Sequence, residues 1–133
     1  MLVIVVGLGL AAGLAYFNRR TPGKDKVPWR EDLAVATAEA RTVGKPMMLD
    51  FTAHWCGPCQ EMRLYTWSNQ DVADAIKDAV VPVKVDFDKN PQLVAKYQVE
   101  AIPTMIVVNA DGVVLKRETG ELSADQFLAW FKE

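Results

Sequence analysis

The sequence predicts an α/β domain: a central mixed sheet of four strands with helices on both faces, and room for a fifth short strand. Three observations predict it. Short apolar runs at 46–53 and 80–87 alternate with stretches of helical pattern, the signature of a parallel strand–helix–strand unit. Asp111-Gly112 joins two further strand-like runs, and this dipeptide is a strong hairpin signal. Ser123-x-x-Gln126 is a capping box that opens a last helix.

Before this domain stands a different kind of sequence. Residues 1–17 hold 14 apolar residues, three glycines and no charge. As a helix they would reach about 25 Å, a marginal span for a hydrocarbon core of about 30 Å. Asn18, Arg19 and Arg20 would end the span, with the arginines reaching the head groups. An uncleaved membrane anchor over residues 1–20 is the expectation. A cleaved signal peptide is the alternative, because Gly13-Leu14-Ala15 is a small-x-small site, although no basic stretch precedes the run. A buried helix of the domain is a third reading, opposed by the lack of a polar face. Residues 21–28 (TPGKDKVP) have two prolines, a glycine and three charges, and read as a linker. The folded domain is expected over 29–133.

Residues 29–43 are rich in alanine and helix formers. Leu33, Ala36, Ala40 and Val43 share one face, and Gly44 supplies a stop. The run 46–53 (PMMLDFTA) reads as a buried central strand with one acid, Asp50, inside it. Residues 56–67 and 69–79 are helical in pattern, and the valine-rich 80–87 reads as a strand. Asn90-Pro91 starts a short helix to about Tyr97, with proline at a first-turn position. Strands at 104–109 and 113–118 flank the hairpin turn, and the capped helix closes the chain.

Composition excludes several functions. With 24% charged residues, 50% hydrophobic residues and a net charge of −2, the chain is not intrinsically disordered. A single long apolar run excludes a polytopic membrane protein. The near-neutral balance gives no basic footprint for nucleic acid.

The chemistry lies at Trp55-Cys56-Gly57-Pro58-Cys59, between the central strand and the next helix. A thiol at a helix start sits beside unpaired N–H groups and the positive end of the helix dipole, which favour the thiolate. The second thiol, one turn along, can close a disulfide. Pro58 fits a helix start, where no N–H is needed. Two cysteines and one histidine in the whole chain cannot build a closed four-ligand zinc site, so no metal is expected. A structural disulfide across two residues would constrain almost no chain entropy. A redox pair remains: Cys56 exposed and attacking, Cys59 covered and resolving. No cofactor is needed beyond this pair, so electrons must come from another protein. Asp50 is a buried carboxylate whose desolvation would raise its pKa. Trp55 reads as active-site surface and His54 as an exposed loop residue. Trp29, Trp67 and Trp130 read as packing residues.

From about Lys45 to the C-terminus, and more loosely back to Trp29, the chain resembles the thioredoxin family. The stretch DFTAHWCGPC (50–59), the segment KVDFDKNP (84–91) and AIPT (101–104) carry the resemblance. Within the family the likeness is strongest to the C-terminal periplasmic domain of the membrane electron transporter DsbD, on GKPMMLD (44–50) and EMRLYTWS (61–68). The Gly57-Pro58 pair departs from that domain and is the typical thioredoxin dipeptide. The resemblance implies a thioredoxin fold and a cis Pro103 facing the disulfide. It implies a substrate groove of Trp55, Gly57, Pro58, Ile102 and Pro103. It also implies that Asp50 assists proton transfer at Cys59 with Lys84 close by.

The expected function is a membrane-tethered thiol–disulfide oxidoreductase acting on protein disulfides, supplied by a membrane or soluble thiol donor. A dedicated cytochrome c maturation reductase and a non-enzymatic groove-binding module are the alternatives. The chain lacks the insertion usual in the first, and the intact Cys-x-x-Cys argues against the second. Five basic residues follow the apolar run by position 30 and none precedes it, which by the positive-inside rule favours the cytoplasm. The resemblance and the small-x-small site favour the periplasmic side of a bacterial inner membrane, which is the expectation. A cleaved, soluble periplasmic form is the further alternative.

Overall fold

The computed structural model describes residues 21–133. The apolar segment 1–20, expected as an anchor or signal, lies outside the described residues. Among the described residues no helix is long and apolar enough to cross a membrane.

The elements follow the expected order. They are α1 (Leu33–Val43), β1 (Met47–Thr52), α2 (Gly57–Tyr65), α3 (Gln70–Ala79), β2 (Val81–Asp86), α4 (Pro91–Lys96), β3 (Thr104–Val108), β4 (Val114–Thr119) and α5 (Ala124–Lys132). The sheet order is β2-β1-β3-β4. β1 pairs parallel with β2 and antiparallel with β3, and β3 pairs antiparallel with β4. The expected central position of β1 and the hairpin at one edge are both present.

Three expectations need correction. The first helix starts at Leu33 rather than Trp29, because the Asp32 side chain accepts the Val35 N–H and caps it. Residues before the cap run alongside β2 instead. Arg30 N–H donates to Pro82 O, and Lys84 N–H donates to Arg30 O. The fifth short strand is therefore one bridge, Arg30 with Val83. Val43 does not share the buried face of α1, being 50% exposed while Ala36 and Ala40 are buried. It is the last residue before the Gly44 cap, where the chain turns away.

Residues 21–28, read from composition as a linker, lie against the domain as a strap. Gly23 N–H donates to Leu64 O and Lys26 N–H to Trp67 O, each at 2.9 Å, and Val27 is buried. A Cβ on Gly23 would stand 3.0 Å from Ser68 Cβ, so a larger residue there would have to push Ser68 aside by a few tenths of an ångström.

The two-residue strand period divides the core. Met47, Leu49 and Phe51 of β1 face one side and pack with Ala36 and Ala40 of α1, the β2 valines, Ile106 and Tyr97. Met48 faces the other side, in a core of Met62, Trp67, Val72, Ile76, Met105 and Phe127. The same alternation sends Asp50 to the second side, toward α2. The hairpin turn is held by Asn109, whose Oδ1 accepts the N–H groups of Asp111 and Val113. Gly112 there has φ of 82°, a conformation that favours glycine. The capping box of α5 is complete, with Ser123 and Gln126 each accepting from the other's backbone.

Candidate active site

The site forms where β1 ends and α2 begins. Cys56 is the N-cap of α2, in extended conformation, and its Sγ accepts the Cys59 N–H at 3.3 Å. Pro58 lies in the first turn, where a missing N–H costs nothing. Cys56 and Cys59 are joined as a disulfide, with Cα atoms 5.3 Å apart.

The expected contrast in exposure between the two cysteines is not found. Each is only 4% exposed, because both sit in a small cluster with Ala53, Phe87 and Ile102. The contrast lies in what they face. Cys56 Sγ is 3.7 Å from Ile102 O, and the Ile102-Pro103 bond is cis, as the resemblance implied. Cys59 faces inward, lining a polar cleft of about 420 Å³ together with Asp50, Trp67 and Lys84. The first sulfur thus faces the cis-proline loop and the second faces the cleft that holds Asp50.

The other residues expected at a substrate groove differ in exposure. Gly57 and Pro58 are exposed, Ile102 is half-buried and Pro103 is buried. Trp55 is 59% exposed, and its indole N–H donates to Asp88 Oδ2 at 2.6 Å. Asp88 was not singled out from the sequence, although it lies within the 84–91 segment that carried the resemblance. A turn holds it: Asp86 Oδ1 accepts the N–H groups of Asp88 and Lys89. His54 is exposed and also lines the cleft.

Asp50 is buried, and its Oδ1 has no hydrogen-bond partner among the described residues. Burial pushes its pKa up to about 7. The Lys84 ammonium pulls it down, Asp25 pushes it up, and a hydrogen bond from Trp67 pulls it down. Lys84 is the strand partner of Asp50 across the β1–β2 pair, so the expected nearness is real. Its ion pair, however, is with Asp25 Oδ2 at 3.4 Å. Asp25 belongs to the strap and had been placed in the linker. A lone acid between two lysines in a Pro/Gly-rich stretch carries no periodic signal, so only the three-dimensional structure reveals it.

A carboxyl that titrates near neutrality beside a buried thiol can take up and release a proton under working conditions. The same feature makes a stability prediction. Between its ordinary range and about 7, Asp50 ionises in the unfolded chain while it stays neutral in the native one, so its contribution lowers stability as pH rises. Asp50→Asn removes that slope. Relative to the parent it should gain up to about 3–4 kcal/mol between pH 4 and 8, less whatever the buried amide loses for want of partners. Urea unfolding at several pH values measures this. Parallel stability curves for parent and variant would exclude the buried, near-neutral carboxyl.

Known proteins bear on this arrangement. A family model described as "Thioredoxin-like domain" matches residues 33–133. Thioredoxin Y2, chloroplastic, of Arabidopsis thaliana is 43% identical over 84 residues, covering 63% of this chain and 48% of that protein. The thiol:disulfide interchange protein DsbD of Klebsiella pneumoniae is 40% identical over 108 residues, 77% of this chain and 18% of that protein. The chain thus spans about half or less of the length of these curated relatives. The oxidised C-terminal domain of Neisseria meningitidis DsbD superposes with a TM-score of 0.62 at 28% identity, covering 78% of this chain and 97% of that one. With its matched domain, its helix-capping cysteine pair and its cis-proline loop, the chain belongs to the thioredoxin-like family.

Proposed function

We propose that the chain is a membrane-tethered thiol–disulfide oxidoreductase that reduces protein disulfides on the periplasmic side of a bacterial inner membrane. The observation that carries the reading is the placing of the Cys56–Cys59 pair between the cis-proline loop and a buried, titratable carboxyl. In the dithiol form the Cys56 thiolate attacks one sulfur of a substrate disulfide. That S–S bond breaks, a mixed disulfide forms, and the leaving sulfur departs as a thiolate that takes a proton. Cys59 then loses its proton to ionised Asp50, and its thiolate attacks Cys56 Sγ. The second substrate sulfur leaves, two electrons have passed to the substrate, and Asp50 returns its proton through the polar cleft. A thiol donor reverses the sequence and restores the dithiol. Likeness to DsbD supports a membrane-associated donor, and the apolar run ending at Arg19-Arg20 supports the tether.

The side of the membrane is tested by alkylating reduced Cys56 with a membrane-impermeant reagent in intact cells whose outer membrane is permeable. Labelling before lysis is expected. Labelling only after lysis would place the domain on the cytoplasmic face, the side that the five basic residues following the apolar run favour.

A further inference from the structure

The Asp25 carboxylate is held at three points. Its Oδ2 accepts the Trp29 indole N–H at 2.8 Å and pairs with Lys84 Nζ at 3.4 Å, and its Oδ1 accepts the Val27 N–H at 2.9 Å. Its side chain is 18% exposed and that of Lys84 30%. The Lys84 ammonium also stands over the Trp29 ring, 5.3 Å from its centre. The strap that carries Asp25 is fixed independently, by the backbone bonds of Gly23 to Leu64 in the last turn of α2 and of Lys26 to Trp67 two residues past it, and by the tight fit of Gly23 on Ser68. One cation therefore stands between two acids, its strand partner Asp50 in the interior and Asp25 on the strap.

We propose that Asp25 is a positioning residue for the exchange reaction: it holds the Lys84 ammonium on the strap side, out of full pairing with Asp50, and so ties the proton step at Cys59 to docking of the strap. The inference deepens the proposed function and rests on Asp50 serving Cys59. If Asp25 were neutral, Lys84 would be free to turn to Asp50, and the direct repulsion between the two acids would vanish. Both changes favour the Asp50 carboxylate. The carboxyl would then give its proton up more readily and, once charged, take one from Cys59 less readily. Other charged groups face the same cleft: Glu31 before α1, His54 and Arg63 flanking the cysteines, Asp86 at the end of β2 and Lys89 beyond it. Among the described residues Asp25 bonds to Val27, Trp29 and Lys84 and to none of these groups, so replacing Asp25 leaves their pairing as it was.

The test is a carboxyl-carbon NMR titration of Asp50 in the oxidised full chain, held in mild detergent, for the parent, Asp25→Asn, Lys84→Met and the double variant. Asp25→Asn should move the Asp50 midpoint down by about half a pH unit or more, the size expected for one partly screened charge. Lys84→Met should move it up. In the Lys84→Met background the effect of Asp25→Asn should shrink to less than half, because only direct repulsion is left. Asp25→Glu should restore the parent midpoint, which separates loss of charge from loss of the strap's fold. An unmoved midpoint in Asp25→Asn overturns the proposal, and so does an equal movement with and without Lys84. The titration needs no substrate. A chain with this titration pattern but no exchange activity would overturn the functional reading alone.

Discussion

Cys56→Ser should bring disulfide exchange down to background, a loss of several orders of magnitude, whereas Cys59→Ser should yield a protein that captures substrates and cannot release them. Equal burial of the two cysteines means that exposure does not assign these roles. Their surroundings do. Cys56 caps α2, where its sulfur receives the Cys59 N–H and the positive end of the helix dipole, both of which favour a thiolate. It also borders the Ile102-Pro103 loop. Cys59 borders the cleft that holds Asp50, the group suited to accept its proton. Non-reducing gels of each variant expressed in cells, followed by reduction, give the readout. Mixed disulfides should accumulate with Cys59→Ser and be absent with Cys56→Ser. The reverse pattern would exchange the two roles.

What was legible in the sequence was what depends on local pattern or on a short motif. The hairpin was readable because Asp111-Gly112 supplies a turn that β-branched flanks can follow, and the last helix because its capping box lies within four residues. Asp50 was readable because a lone acid in an otherwise apolar strand has few explanations other than a paired or neutral carboxyl. What was not legible depends on distant partners. Residues 21–28 have linker composition, yet they dock through backbone N–H groups to carbonyls of Leu64 and Trp67, and backbone bonds leave no mark on residue type. For the same reason the path of Arg30 beside β2 was hidden inside an apparent helix, and Lys84 was given one acid where it has two. The burial of Cys56 follows from Ile102 and Phe87 closing over it, which no local reading of the motif could supply.

Trp67→Ala should be the most damaging substitution outside the cysteine pair. Trp67 is only 2% exposed and meets two aromatic neighbours edge-on: Trp29 at 5.3 Å and Phe127 at 5.1 Å between ring centres. It thereby joins the strap side, the end of α2 and the last helix in one cluster. Its truncation leaves a large void that α3 and α5, each pinned by its own cap, cannot close. The expected cost is about 3–5 kcal/mol, a large part of the roughly 5–15 kcal/mol typical of a domain. A second effect reaches the active site, because Trp67 also lines the cleft beside Asp50. Two changes there oppose each other. Losing the indole removes a hydrogen bond that favours the carboxylate, and opening the cleft removes burial that disfavours it. Burial is the larger influence on Asp50, so its midpoint should fall toward the ordinary carboxylate range. Trp67→Phe keeps most of the volume but not the N–H. It should cost much less stability and move the midpoint the other way, upward. Urea unfolding together with the Asp50 titration separates the two variants. A rise in both variants would mean that the hydrogen bond, not burial, governs Asp50, and a fall in both would mean that the indole N–H has no hold on it.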